Sequence, residues 1–512
     1  MTENLYDRAP YPRHAYGFTH PGRMAAMATL AGLEPPPVEN CRVLELGCAS
    51  GSNLIPMAYG LPDAEFIGLD LSGRQIAEGR EFIAAVGLQN IRLGHGDLRA
   101  IGDDLGPFDY IIAHGVHSWA PRDVQRAIVG LCGRLLTENG VALVSYNAYP
   151  GCHLREMVRG MAQFHVRDID DLDERADQLV AMVRFLAGSL GDEYKVYRQV
   201  LQVEAERLAE LDRSFILHDV LEDDNLPVYF HEFIAQAAEH GLQYLGEAIP
   251  LDRRRTGVND AKLAELRAKY DLIEYEQHLD FLEGTAFRRT LVCRQEQPLH
   301  HDPARADWSR LLVASQLVAE FVKIPAAAGQ APEFSQIQLR DDRPLEFVAA
   351  KGKLSAAIRC DRPIAKAALW LLGSSYPRAI PFDELLARSA ALLNRPATEE
   401  DAAEIRAVVL GGLSIGATEL HRWQPNLAVE PSEFPEASPI ARYLIARGWE
   451  PTTLWHDRLA LADPLARQLL LCLDGRHDRA AIAEELGGSD AEFKPRLESG
   501  LSDLARTGVL LR

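Results

Sequence analysis

The run Val43-Leu44-Glu45-Leu46-Gly47-Cys48-Ala49-Ser50-Gly51 joins a short apolar strand to a glycine-bearing turn. Glycine lets the backbone bend sharply and approach a ligand where a side chain would clash. The spacing lacks the Gly-Lys-Ser/Thr ending of a P-loop and differs from the G-x-G-x-x-G of dinucleotide folds. Two carboxylates stand at equivalent places further on. Asp70 ends a second apolar run (66–71), where it can accept hydrogen bonds from both hydroxyls of a ribose. Asp97, in His95-Gly96-Asp97-Leu98, ends a third, where it could accept from an adenine amino group.

Such strand-end chemistry needs a parallel sheet to hold it. Apolar runs at 41–46, 66–71, 90–93, 108–113 and 141–147 alternate with helical spacing, which predicts five strands in a parallel α/β sheet. Ser72 with Gln75 predicts a capping box, followed by Ile76, Ile83 and Val86 on one face and Gly87 as the stop. Pro121 opens the next helix, whose buried face is Val124, Ile128, Leu131 and Leu135. The alternation then breaks. Residues 152–226 read as a helical insertion, with Leu179, Met182, Val183, Leu186 and Leu190 on one face. The pattern resumes with a helix at 229–240 and strands at 242–249 and 289–294, separated by a smaller insertion.

The fold class predicted is therefore α/β: a Rossmann-like seven-stranded sheet with a helical insertion, followed by a mainly α region of winged-helix-like units. An N-terminal lid covers 1–37 and the sheet domain 38–296. A winged-helix-like regulatory or substrate-recruiting domain follows at 305–423, then a second winged-helix-like unit at 440–512. Polar or proline-rich linkers are expected at 297–307 and 424–439.

The 512 residues carry a formal charge of −20. A broadly acidic surface repels phosphate backbones, which argues against nucleic acid, and it suits a cationic partner such as a lysine-bearing protein segment. No apolar run approaches the roughly 18 residues of a membrane span, and no signal peptide is visible at the N-terminus. Seven scattered cysteines without a C-x-x-C pair read as reduced thiols in a cytoplasmic protein. His218-Asp219 and His231-Glu232 lack a third ligand at metal spacing, so no metal is expected.

The glycine turn and the strand-end aspartates resemble those of the class I S-adenosylmethionine-dependent methyltransferases. Ala49 stands where many members have a third glycine. The chain also resembles one bacterial branch of that superfamily. The shared stretches are Tyr11-Pro12-Arg13-His14-Ala15-Tyr16, Thr19-His20-Pro21, ELGCASGSNLIP from Glu45, Gly115-Val116-His117-Ser118-Trp119, SYNAYPG from Ser145 and HDVLEDDNLPVYFHEF from His218. That branch carries a methyltransferase regulatory domain and includes the rickettsial-type protein-lysine methyltransferases that modify outer-membrane proteins. The resemblance implies S-adenosylmethionine as cofactor, with Gly47 and Gly51 beside its methionine moiety, Asp70 on the ribose, and Asp97 and Leu98 on the adenine. It adds Glu45, Cys48, Asn53, Leu71, His114 and Tyr16 to the cofactor side. It further implies a protein substrate of the outer-membrane or surface kind and no membrane insertion.

Methyl transfer from a sulfonium is an in-line displacement, so the protein must place a nucleophile about 3 Å from the methyl carbon. A lysine amine must also lose its proton, which a desolvated, aromatic-lined pocket encourages. The fourth and fifth strand ends offer His114, His117, Trp119, Tyr146, Asn147 and Tyr149. Asn147 and Tyr149 could orient the amine, Trp119 could face the cationic charge, and His117 or His114 could accept the proton. Each has a plainer reading: Tyr149-Pro150-Gly151 as a turn, Trp119 as a core seal, His114 as a cofactor contact. Three functions compete. They are a protein-lysine methyltransferase with a recruiting C-terminal region, a small-molecule methyltransferase whose winged helices pair two copies as a homodimer, and a non-enzymatic S-adenosylmethionine-binding module.

Overall fold

The computed structural model describes residues 13–222, 224–250, 260–319, 339–349, 356–488 and 493–512, so Tyr11 and Pro12 of the expected lid lie outside the described residues. Helix α1 (Pro21–Ala31) precedes an alternation of β1 (Arg42–Leu46), α2 (Leu54–Gly60), β2 (Glu65–Asp70), α3 (Gly73–Val86), β3 (Ile91–His95), β4 (Phe108–Ala113), α4 (Arg122–Leu135) and β5 (Leu136–Asn147). Helices α5 (Cys152–Val166), α6 (Leu172–Ser189) and α7 (Lys195–Glu210) form the insertion, which ends in a π-helical turn at Ile216–Val220. Then come α8 (Phe230–Glu239), β6 (Leu242–Glu247), α9 (Asp260–Lys269), α10 (Leu272–Glu283) and β7 (Phe287–Arg294).

The seven strands lie in the order β3-β2-β1-β4-β5-β7-β6, with β1 to β5 parallel and β7 antiparallel to both neighbours. Alternation along β1 sends Val43 to one face of the sheet and Leu44 and Leu46 to the other. The first face is covered by Met24 and Ala28 of α1, Leu54 of α2 and Phe82 of α3; the second by Ile128 and Leu131 of α4 and Phe233 of α8. Caps fall where the sequence places them: the Ser72 hydroxyl accepts the Gln75 N–H, and Gly87 closes α3 at φ 73°. One boundary differs. The strand after α4 begins at Leu136 rather than 141, because Leu136 already pairs with Phe108.

Beyond the sheet, β8 (Leu312–Ala314), β9 (Leu317–Ala319), β10 (Leu345–Ala349) and β11 (Ala357–Cys360) lead to α11 (Pro363–Ser375), β12 (Ile380–Pro381), α12 (Phe382–Leu392), α13 (Glu399–Ser414) and β13 (Glu419–His421). Strands β12-β8-β13 form one small sheet and β11-β10-β9 another. The final unit holds α14 (Pro439–Ala446), α15 (Pro464–Cys472), α16 (Arg479–Glu485) and α17 (Phe493–Arg506). The proline-rich stretch at 424–439 is more than a linker, since Leu427 bridges Leu511 and Ala437 bridges Leu510.

The N-terminal lead divides its work. Helix α1 is buried, giving Met24, Ala25 and Ala28 to the core of the large sheet and Ala26 and Leu30 to the core around α11. Only the residues before it are placed to cover a ligand. The last unit also packs on the sheet domain, where Tyr443 stacks on Phe82 at 4.0 Å. Among the described residues no helix is long and apolar enough to cross a membrane.

Candidate functional site

At the carboxyl ends of β1 to β4 lies a cavity of about 290 Å³. In an open α/β sheet this edge is where ligands bind. Ten of the eleven residues expected on the cofactor side line it: Tyr16, Glu45, Gly47, Cys48, Asn53, Asp70, Leu71, Asp97, Leu98 and His114. Gly51 does not. It sits behind the turn at φ 69°, where a Cβ would come within 3.0 Å of Leu93, and carries the chain into α2.

The turn is built by backbone geometry. Gly47 has φ 74°, and a Cβ there would meet Val116 at 2.9 Å. Ala49 takes φ 50°, a left-handed conformation costing an alanine about 1 kcal/mol. Its N–H donates to Asp70 Oδ2 at 2.8 Å, while Asp70 Oδ1 accepts the Ser72 N–H at 2.8 Å. Asp70 thus braces the turn from the cavity's edge. Leu71, 61 % exposed beside it, offers an apolar face at the cavity mouth. Asp97 is held by Arg99 Nε and Nη2, and these hydrogen bonds keep its carboxyl below the usual range.

Glu45 is the site's buried carboxyl. Burial pushes its pKa up to about 8, although the Asn53 amide donates to Oε1 at 2.7 Å. Its Oε2 is buried without a hydrogen-bond partner. An orphaned carboxylate oxygen at the inner end of a cavity suits an ammonium group. His114 donates or accepts at Ser145 Oγ through Nδ1 (2.8 Å), and burial lowers its pKa to about 3, leaving a neutral ring. Tyr16 packs edge-on against His114 with ring centroids 4.3 Å apart, and burial raises its pKa to about 12. Taken together, the lining could hold an amino-acid arm, a ribose and a planar base.

Of the four expected catalytic residues, only Trp119 lines this cavity, half-buried and with no partner for its indole N–H. His117 requires correction. The 3₁₀ turn His117–Trp119 directs it into the core beside Tyr146 and Phe233, at 5.9 and 5.7 Å. Both ring nitrogens there lack partners, and burial lowers the pKa to about 3, so it is in no position to take a substrate proton. Tyr146 faces the same core and hydrogen-bonds Thr290 at 2.9 Å. Tyr149 also lies off the cavity lining: its hydroxyl donates to Glu156 at 2.8 Å and its ring stacks on His153 at 4.1 Å. Asn147 is off the lining too, and its amide donates to Asn225 Oδ1 at 2.9 Å.

Four groups in or near the site make contacts that sequence reasoning did not assign. His14 lines the cavity and stacks on Phe215 of the insertion at 6.3 Å. Asp219, in the π-helical turn, is the largest charge acting on Tyr16, and burial raises its own pKa to about 6. Asn225 ties that turn to β5, donating to the Asp219 carbonyl at 2.9 Å while accepting from Asn147. His456, from the last unit, reaches Asn53. Only a contact map could have revealed the last, which is 403 residues away in sequence.

Comparison with known proteins agrees with this geometry. A methyltransferase-domain model matches residues 43–140, and a "Predicted methyltransferase regulatory domain" model matches 212–294. A "PKMT, C-terminal winged helix domain" model matches 433–499. An uncharacterized protein of Rickettsia prowazekii (RP789) is 32 % identical over 511 residues, which cover 99 % of this chain and 88 % of that one. The chain belongs to the class I S-adenosylmethionine-dependent methyltransferases that carry a regulatory domain. The structure of PKMT2 from Rickettsia typhi superposes with a TM-score of 0.85 at 25 % identity, covering 98 % of this chain and all of the other. A second structure of that protein, in complex with AdoHcy, gives 0.84 at 24 %. The regulatory model falls on α8, β6, β7 and the insertion between them, whereas the sequence suggested a regulatory or recruiting unit at 305–423.

Proposed function

We propose that this methyltransferase acts on lysine side chains of a protein substrate of the surface or outer-membrane kind, in the cytoplasm, where its seven unpaired cysteines would stay reduced. The observation that carries the reading is the likeness to PKMT2, which runs over the whole chain, so that the insertion and the winged-helix unit are shared along with the sheet. AdoHcy bound to that relative supports placing S-adenosylmethionine in the cavity described above.

When bound, S-adenosylmethionine supplies an electrophilic methyl group. The chain's own residues do the rest. Glu45 Oε2 would receive the ammonium, Asp70 would hold the ribose hydroxyls, and Asp97, Leu98 and Leu71 would flank the base. Neutral His114, Tyr16 and Trp119 surround the reacting end with aromatic faces, which favour a cationic centre over water. The acceptor would enter between the lead and the insertion, where Asp219 could take a proton from its ammonium and so free the nitrogen lone pair needed to receive the methyl group. A carboxyl with a pKa near 6 is suited to that exchange close to neutrality. Asn147 positions this wall through Asn225. The winged-helix units recruit the substrate, in preference to pairing two copies of the chain.

Incubation of the pure protein with methyl-labelled S-adenosylmethionine and fractionated bacterial lysate tests the acceptor. Label mapped to lysine by mass spectrometry is expected; label confined to small molecules would overturn the reading. Asp219→Asn is expected to lower kcat about a hundredfold with AdoHcy affinity unchanged, as loss of a proton acceptor should.

A further inference from the structure

One support of the cofactor cavity comes from the far end of the chain: His456 is not among the lining residues but reaches Asn53, which is. Asn53 Oδ1 accepts from the Tyr16 N–H at 3.0 Å and from His456 Nε2 at 3.0 Å, while the Thr19 hydroxyl beside it gives its one proton to the Tyr16 carbonyl at 2.7 Å. A backbone N–H can only donate, so Oδ1 is the acceptor and Nδ2 the donor that reaches Glu45. His456 must then carry its proton on Nε2, which leaves Nδ1 as a buried lone pair with no partner. Burial, with Arg23 nearby, lowers the ring's pKa to about 3 and keeps it neutral.

The backbone that presents this ring is unusual. His456 has φ 67°, a conformation costly for a residue with a side chain, inside a turn closed by Thr453 N–H to the Asp457 carbonyl (2.8 Å) and His456 N–H to the Thr453 carbonyl (3.0 Å). An apolar residue in a relaxed turn would fill the same space. Strain and an unpaired nitrogen are retained where the result is one hydrogen bond to one carbonyl, and strain of that kind gathers at functional sites.

We propose that His456 is a positioning residue of the cofactor site, fixing the Asn53 amide so that it holds Glu45 Oε1 and leaves Oε2 for the ammonium of the bound ligand. The C-terminal unit thereby supports the amino-acid end of the cavity without lining it. The proposal rests on the cofactor half of the function above and is independent of the acceptor. It also means that removing residues 305–512 would not isolate substrate recruitment, because His456 would leave with them.

The test is calorimetry on the full chain with two ligands, S-adenosylhomocysteine and 5′-methylthioadenosine, which lacks the amino-acid arm. His456→Met fills the volume without an N–H, and His456→Gln offers an amide N–H at similar reach. Outer-shell partners of ligating groups are commonly worth tenfold or more, so His456→Met is expected to weaken S-adenosylhomocysteine about tenfold and 5′-methylthioadenosine less than about twofold. His456→Gln is expected to recover most of the loss. Equal weakening of both ligands, no weakening, or no recovery by glutamine would overturn the proposal. Melting of each variant without ligand separates packing from positioning, and should His456→Met not fold, His456→Gln against the unaltered chain with the same ligand pair still decides. If the unaltered chain binds neither ligand, the cofactor reading itself fails; label on an acceptor other than lysine leaves this inference standing.

Discussion

Two arginines solve the same problem in different settings. Arg288 of β7 is fully buried and donates to Asp280 at 2.9 Å and Glu247 at 2.8 Å, with Glu276 at 3.4 Å and the Phe230 ring 4.0 Å away. All its partners lie between residues 230 and 280, so it fastens β6, α8 and α10 to the sheet within one unit. Arg23 of α1 also bridges two carboxylates at 2.8 Å, but these are Glu419 of β13 and Asp457 of the last unit, and its side chain is 19 % exposed. The first network is dry and local. The second is partly wet and joins three units, and Asp457 is the neighbour of His456. Ion pairs of similar geometry therefore serve a fixed core in one place and an interdomain joint beside the cofactor site in the other.

That contrast can be broken by experiment. Arg288→Met should be the most damaging change, costing about 3–5 kcal/mol, because it strands buried carboxylates without their cation. Chemical denaturation would read this loss, and any folded fraction should bind S-adenosylhomocysteine normally. Arg23→Met should cost about 2 kcal/mol, since water can reach its carboxylates, but should weaken S-adenosylhomocysteine by several fold through the turn that presents His456. If Arg23→Met unfolds the protein as Arg288→Met does, or leaves ligand affinity untouched, the distinction between core and joint collapses.

A smaller effect sharpens the same comparison at Glu45, the carboxyl next to the joint. Its folded pKa near 8 lies above the unfolded value of 4.5, so its protonated form stabilises the ligand-free protein below about pH 4.5, and that contribution is lost as pH rises through 8. An ammonium-bearing ligand needs the ionised form. S-adenosylhomocysteine affinity is accordingly expected to climb between pH 6 and 8, by at most about tenfold per unit, while 5′-methylthioadenosine affinity stays flat. Glu45→Gln should abolish the difference.

What the sequence made legible was local. The glycine turn, Asp70 and Asp97 are set by residues a few positions apart on strands whose ends must align, and ten of the eleven expected cofactor-side residues meet in one cavity. The acceptor side was less legible because a strand-end position does not say which face a side chain takes. A single 3₁₀ turn sends Trp119 to the cavity and His117 to the core, and the Tyr149 hydroxyl is spent on a helix residue seven positions on. His218-Asp219 reads as a possible metal pair and as part of a stretch shared with the resembled branch, but nothing in its spacing shows that a π-helical turn brings the Asp219 charge to bear on Tyr16. His456 had no local signal at all.

The helical insertion enters and leaves the sheet domain through one doorway. Ala148 bridges Val228, the Tyr149 N–H donates to the Val228 carbonyl at 3.1 Å, and the Leu226 N–H donates to the Ser118 carbonyl at 2.8 Å. Its own core of Val158, Leu179, Leu201 and Leu217 is separate from that of the sheet. An element rooted this way behaves as an exchangeable cassette: its length and surface can drift, or be replaced wholesale between relatives, without rethreading the strands that grip the methyl donor. The insertion is tied to the cavity lining where Phe215 meets His14 and where Asp219 acts on Tyr16.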